Sequence, residues 1–376
     1  MFDYSSLYRT IPGWSETPTS GNYLIGVLRG EGIGPEIIEP TLRVLEAATR
    51  ERSIRIQTCF GGSIGEAALG ETGRPLSEEV KKFCQEVFEQ QGAVLCGPAG
   101  GRFVYDLRRC FDLFCKIVPI RPILPSEDFG VLQPAALRDV DIVLVRENVG
   151  GIYLGKWGEE RRGNETVASH AFEYLSSQVE RILKIAVCLA QSRRGRLTLV
   201  VKSEGMPSVS RLWRDSLREL ARDSGLSTEI LEADNAAYQL VRFARKFDVI
   251  VTSNMIGDIL GDLGALLLGA REMSFSGNFG PAGRAVYQTA HGAAHDLSGQ
   301  NIANPLGQIL ALSLLLRINF RMFDLADRIE AAVKHVLKEG WRTPDMATPR
   351  SRHVGTREMG ERIAEALRVS NWEKVL

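Results

Sequence analysis

What this chain lacks narrows it before any motif does. It has no excess of charge: Lys plus Arg and Asp plus Glu each number 46 among 376 residues. No global field therefore draws it to nucleic acid or to an anionic membrane, and anion binding falls to local clusters. None of the six cysteines, at 59, 84, 96, 110, 115 and 188, forms a Cys-x-x-Cys pair. Their apolar surroundings suit reduced core thiols in a reducing compartment, and no zinc site is expected. The longest apolar runs, LGALLLGA and ILALSLLL, fall far short of a membrane span, and the N-terminus lacks a basic start followed by an apolar core. The expected location is cytoplasmic. Repeats and low-complexity segments are absent as well.

A dinucleotide fingerprint is also missing. Residues 23–28 read as a strand, GEGIG as a glycine turn and Pro35 as the first residue of a helix. The spacing of Gly30, Gly32 and Pro35 lacks the third glycine, and no acidic residue ends an obvious second strand about twenty residues later. A Rossmann cofactor site is disfavoured.

What is present, 44% hydrophobic and 24% charged residues, suits two domains or one large α/β body. Strand and helix alternate. Helices are expected over 77–90, 172–191, 207–223, 235–246, 306–320, 324–339 and 355–369, and strands over 93–96, 197–201 and 249–251. The stripe Leu175, Val179, Ile182, Ala186 and Leu189 suits a helix against a core or a partner subunit. Residues 1–20 show no period and read as an irregular surface extension. After residue 270 a Gly- and Ser-rich loop is expected.

Several stretches carry candidate chemistry. In FDVIVTSNMIGDILGD (247–262) a buried strand runs through a turn marked by Asn254 into a helix, so Asp258 and Asp262, at i and i+4, project from one stripe at a strand's carboxyl end. Mg²⁺ or Mn²⁺ would relieve the repulsion of these carboxylates; the plain alternative is a solvated acidic helix start. Arg102, Arg108 and Arg109 follow the turn CGPAGG and suit carboxylate recognition, though solvation explains any one of them. The charged pair Arg146 and Glu147 is followed by a glycine turn and Tyr153, with polar tips of the kind that can line a cleft. Lys202 ends an apolar strand, where a lysine either snorkels or, held in a cleft, takes protons. His291, Gly292, Asp296 and Asn304 sit among small residues, as in a loop folded around a polar ligand; a self-satisfied loop histidine is the simpler account of His291.

Taken in order, GEGIGPE, DLRRCFDLF, VRENVGGIY, VVKSEGM, EADNAA, SNMIGDILGD and HGAAHDLSGQNIANP resemble the β-decarboxylating dehydrogenases, the family of isopropylmalate, isocitrate, homoisocitrate, tartrate and D-malate dehydrogenases. The resemblance implies an α/β fold of two domains, with a discontinuous cofactor domain over 1–125 and 270–376 and a central metal, substrate and dimerisation domain over 126–269. It implies a homodimer with a non-Rossmann NAD site that includes His291, Gly292, Ala293, Asp296 and Asn304. By the same motifs Asp258 and Asp262 hold Mg²⁺ or Mn²⁺ with Asp234 of the other subunit, Lys202 of the other subunit is the general base, Tyr153 the acid, and Arg108 and Arg146 clamp carboxylates. The activity implied is oxidative decarboxylation of a 2-hydroxy-3-carboxy acid. At Asp296 an acidic residue goes with NAD and lysine with NADP, since a carboxylate accepts from ribose hydroxyls and repels a 2′-phosphate. His295 beside it softens that repulsion only when protonated.

Departures from the family pattern are specific. Val118 replaces a third clamp arginine, and Lys116, on the same strand face, is the expected substitute. Glu204 replaces an asparagine near the nicotinamide, and Gln288 and Thr289 replace Glu-Pro. A shortened segment puts Arg102 near the stretch that reads the substrate's variable group. If buried, Arg102 demands an anionic or strongly polar group there; in solvent it demands nothing. Val118 and Glu204 also favour a non-catalytic regulatory subunit of an isocitrate dehydrogenase-like complex, which the intact polar constellation opposes. A tartrate or D-malate type of dehydrogenase is a further alternative.

Overall fold

A computed structural model describes residues 5–14, 23–50, 54–124 and 132–368. The expected boundary at 125/126 lies outside them. Ten strands form one sheet: Tyr23–Leu28 (β1), Ile56–Phe60 (β2), Ala93–Cys96 (β3), Cys115–Ile120 (β4) and Ile142–Glu147 (β5), then, beyond a separate hairpin of Lys156–Arg162 (β6) and Glu165–Ala171 (β7), Arg196–Val201 (β8), Ser227–Glu232 (β9), Val249–Thr252 (β10), Phe275–Phe279 (β11) and Ala285–Thr289 (β12). The order across the sheet is β2-β1-β3-β12-β11-β4-β5-β10-β8-β9. β2, β1, β3 and β12 are parallel to one another, as are β5, β10, β8 and β9. Antiparallel pairings of β12 with β11, β11 with β4 and β4 with β5 join the two blocks.

The inner parallel strands β3, β5, β10 and β8 are short, aliphatic and buried along most of their length, as strands covered by helices on both faces must be, whereas the edge strands β2 and β9 are largely exposed. The helices begin where their sequences direct. Pro35 opens Gly34–Thr49, Ser77 accepts the Val80 N–H (3.2 Å) at the start of Glu78–Glu89, and Pro207 opens Pro207–Ala221.

Two expectations are corrected. The stretch after 270 is no loop: β11 and β12 form a hairpin in the middle of the sheet, and FSGNF hides this because a strand buried on both faces shows no polar alternation. Of the two covers open to the stripe on the helix Ser176–Gln191, core is the one found for Val179, Ile182, Ala186 and Leu189, which are fully buried within the chain, while Leu175 just before the helix is 58% exposed. The described part of the N-terminal extension is not an irregular surface segment. Ser5–Thr10 is helical, Leu7 and Ile11 are buried, Tyr8 donates to the Ile318 carbonyl (2.6 Å) and the Trp14 indole to that of Gly280 (2.8 Å). This segment packs on the 176–191 helix as well as on the chain around β11, tying the two blocks together. Leu7→Ala, which empties a fully buried site, should cost about 2–5 kcal/mol of stability in denaturant titrations.

Candidate active site

The site forms where β4, β5 and β10 meet. Because β4 runs against β5, Lys116 near the start of β4 stands directly opposite Arg146 near the end of β5, and Thr252 of β10 flanks Arg146 on the other side. Directly opposed residues on an antiparallel pair share a face. Val118, two residues deeper, pairs with Leu144 in the apolar core. A cation therefore reaches the site from Lys116, and an arginine at 118 is not the only route to it.

Arg146 is buried and its donors are divided. Nε and Nη2 donate to Asn254 Oδ1 (3.0 and 2.7 Å), and Nη1 donates to Asp258 Oδ1. The helix Asn254–Leu268 approaches closely enough for this only because residue 257 is glycine: a Cβ there would lie 2.8 Å from Arg146 Cγ. Tyr153 donates its hydroxyl to Asp258 Oδ2 (2.9 Å). Burial raises the Tyr153 pKa, and the Asp258 charge raises it further, so the phenol keeps its proton. For Asp258 burial works upward, but Arg146, Lys116 and the two hydrogen bonds outweigh it and hold the carboxylate ionised.

Arg108 and Lys116 complete the cluster. Both are buried, and among the described residues neither side chain has a hydrogen bond or ion pair, Arg108 having only the Tyr105 ring 5.7 Å away; Arg108 Nε is an orphaned donor. Burial, then repulsion from Arg146, pulls Arg108 down to about 9, still protonated at neutral pH. Burial, then Arg108 and Arg146, lowers Lys116 well below its ordinary value. Three buried basic side chains facing one half-buried carboxylate make a cradle short of negative charge.

The remaining expected residues are distributed around this centre. Asp262, one turn beyond Asp258, is exposed and paired with Arg271 (2.7 Å). Lys202 and Asp234 pair with each other (3.2 Å) at the ends of β8 and β9, and have no bond to Asp258, Asp262 or Tyr153 within the chain. Among the described residues no three His, Cys, Asp or Glu side chains are grouped to hold a metal ion. The donor chemistry of Asp258 and Asp262 fits a hard divalent cation that keeps several waters, but it is an incomplete set. Arg102 is exposed, so the desolvation argument for a polar substrate group does not apply. Its guanidinium donates to the Tyr153 carbonyl (2.9 Å) and stacks on Tyr105 and Trp157, 5.0 and 4.6 Å from their ring centres.

A second cleft is lined by His291, Gly292, Ala294, Leu297, Asn304, Glu272 and Asp345. His291 is buried and held neutral by that burial. Its Nδ1 meets the Gly292 carbonyl (3.0 Å) and so carries the proton, leaving Nε2 a buried acceptor with no partner. The histidine is thus only half satisfied. The Ala293 carbonyl accepts from Ile33 (2.9 Å) and sits where a Cβ on Gly32 would clash, which ties the glycine turn to this loop. Asn304 is buried; it caps Leu306–Ile318 through the Leu306 N–H (2.9 Å) and donates to Asp345 (2.9 Å). Asp296 lies exposed on the adjoining turn. Asp345 and Asn254 escaped the sequence reading, one a lone acid after a proline and the other taken as a turn marker.

The family sequence model described as isocitrate/isopropylmalate dehydrogenase matches residues 24–363. The chain belongs to the isocitrate/isopropylmalate dehydrogenase family. A 3-isopropylmalate dehydrogenase of Geobacillus kaustophilus (strain HTA426) is 37% identical over 365 residues, covering 92% of this chain and 96% of that protein. One of Gloeobacter violaceus (strain ATCC 29082 / PCC 7421) is 38% identical over 372 residues, with 92% and 98% covered. The crystal structure of isocitrate dehydrogenase from Methylococcus capsulatus superposes with a TM-score of 0.82 at 30% identity, covering 92% of this chain and 99% of that one. The fold is that of this family. No helix among the described residues is long and apolar enough to cross a membrane.

The cradle predicts opposite effects of one substitution. Lys116→Met should weaken binding of a dicarboxylate at least roughly tenfold, yet raise the melting temperature, since it removes a desolvated cation repelled by two arginines. Because the Lys116 pKa is depressed on folding, the unfolded chain binds the extra proton. The destabilisation is therefore fully present below the folded pKa and vanishes as pH rises toward 10.5. Thermal scans across pH should show the gain from Lys116→Met shrinking as pH rises.

Proposed function

We propose that this protein is an NAD-dependent, divalent-metal-dependent dehydrogenase that oxidatively decarboxylates a 2-hydroxy-3-carboxy acid of the substituted malate type, and that it works as a homodimer. The observation that carries this reading is the cradle of Arg108, Lys116 and Arg146, two of them without partners, beside Asp258 and the protonated Tyr153. Desolvated cations of this kind call for a polyanionic small molecule. The names of the relatives, 3-isopropylmalate and isocitrate dehydrogenases, support the reaction class.

In this reading Arg108, Arg146 and Lys116 hold the substrate carboxylates. Asp258 and Asp262 would hold Mg²⁺ or Mn²⁺ together with Asp234 of a second copy, and the cation would supply Lewis-acid chemistry there. NAD, bound along the His291 cleft and Asp296, supplies the hydride acceptor. Lys202 of the second copy takes the hydroxyl proton. After loss of carbon dioxide, Tyr153 delivers its proton to C3, for which its raised pKa keeps it prepared. The second copy is supported by the surface that lies nearest. Tyr238 and Ile259, on the helices Ala233–Arg242 and Asn254–Leu268, are 62% and 54% exposed, and β6 and β7 are almost wholly exposed. The cofactor part is then 1–125 with 270–376, and the central part 126–269.

The test is NADH formation by purified protein over isopropylmalate, isocitrate, homoisocitrate, tartrate and D-malate. We expect turnover of at least one, abolished by excess chelator and restored by Mg²⁺ or Mn²⁺, with NAD favoured over NADP by at least roughly tenfold in kcat/KM. Full rate in chelator would remove the metal from the account. Absence of any turnover would favour the regulatory-subunit alternative.

A further inference from the structure

Asn254 is fully buried at the start of the helix that carries Asp258, and every polar atom of its carboxamide is engaged. Oδ1 accepts Nε and Nη2 of Arg146 (3.0 and 2.7 Å), and Nδ2 donates to the Gly150 carbonyl (3.0 Å). Its main-chain N–H donates to Tyr174 Oη (3.2 Å), which in turn donates to Glu147 Oε2 (3.0 Å). Glu147 also accepts the N–H groups of Val149 and Gly150 (2.8 and 3.0 Å). One buried chain of hydrogen bonds thus runs from Glu147 through Tyr174 and Asn254 to Arg146. It also fixes the turn after β5 that leads to Tyr153.

An arginine in this place needs such a partner. Asp258 attracts Arg146 while Arg108 and Lys116 repel it, so a guanidinium without another partner would fold onto the Asp258 carboxylate with both arms. Asn254 holds the Nε and Nη2 edge, and only Nη1 turns to Asp258. Of the five N–H groups of a guanidinium, two bonds to Asn254 and one to Asp258 occupy three, which leaves two to meet a ligand. We propose that Asn254 is the positioning residue that aims Arg146 at a substrate carboxylate and couples that aim, through Gly150, to the turn carrying Tyr153. This rests on the reading that Arg146 grips such a carboxylate.

Two readouts separate the proposal from that reading. Binding of D-malate, the probe, is measured by calorimetry on the full-length protein and its variants. Asn254→Ala should raise the Kd at least roughly tenfold, about 1.4 kcal/mol. In an Arg146→Lys background the same change should alter it less than twofold, because an ammonium cannot use the carboxamide in two directions. Independently, NMR of arginine-labelled protein should show the Arg146 Nε proton exchanging slowly in the native chain and at least tenfold faster in Asn254→Ala. If the alanine variant does not fold, Asn254→Asp replaces it: an acceptor is kept, so exchange stays slow, while the added charge offsets Arg146 and weakens D-malate. Additive Kd effects, a Kd within twofold of the native protein, unchanged Nε exchange in Asn254→Ala, or fast exchange in Asn254→Asp would overturn the role of Asn254. Native protein that ignores D-malate yet shows the exchange difference would instead overturn the carboxylate-grip reading and leave the positioning of Arg146 established.

Discussion

The arrangement depends on keeping three cations together out of water. Lys116 and Arg146 oppose each other across an antiparallel pair, where like charges repel, and Arg108 adds a third. An unpaired buried charge costs several kcal/mol, so the surrounding fold must fix these side chains rather than let them turn to solvent. Asn254 and Asp258 take up the arms of Arg146, the apolar layers below β4 and β5 block retreat, and Arg108 and Lys116 remain uncompensated. Stability is given up locally for a place where a polyanion is strongly favoured.

The direction of the strands decides where this happens. The antiparallel step from β4 to β5 brings the chain following the Phe103–Cys110 helix to the carboxyl ends of β5 and β10. A parallel continuation would have put Lys116 at the far edge of the sheet. The same step explains how the chain tolerates Val118: the residue level with Arg146 is Lys116, and position 118 belongs to the core.

Much of this was legible in the sequence, because strands such as VIV and helices with spaced apolar residues announce themselves locally. Asp258, Arg146 and Tyr153 were placed in one site and they are bonded together. What stayed hidden depended on tertiary context. The β11–β12 hairpin is buried on both faces, so its polar and small residues give no period. The 176–191 stripe could not reveal whether its cover was core or partner. Asn254 reads as a turn residue until its carboxamide is seen on Arg146, and Arg102 reads as a substrate ligand until it is found stacked on Tyr105 and Trp157.

Within one chain Lys202 and Asp234 pair with each other and not with Asp258, so the proposed chemistry needs a second copy to bring them to it. The most direct measurement is activity after subunit exchange between a Lys202→Ala protein and an Asp258→Asn protein, each inactive alone. Random pairing makes half the dimers mixed, each with one intact site, so activity should recover to about a quarter of the native value. No recovery despite demonstrated exchange would contradict the account and assign each site to a single chain.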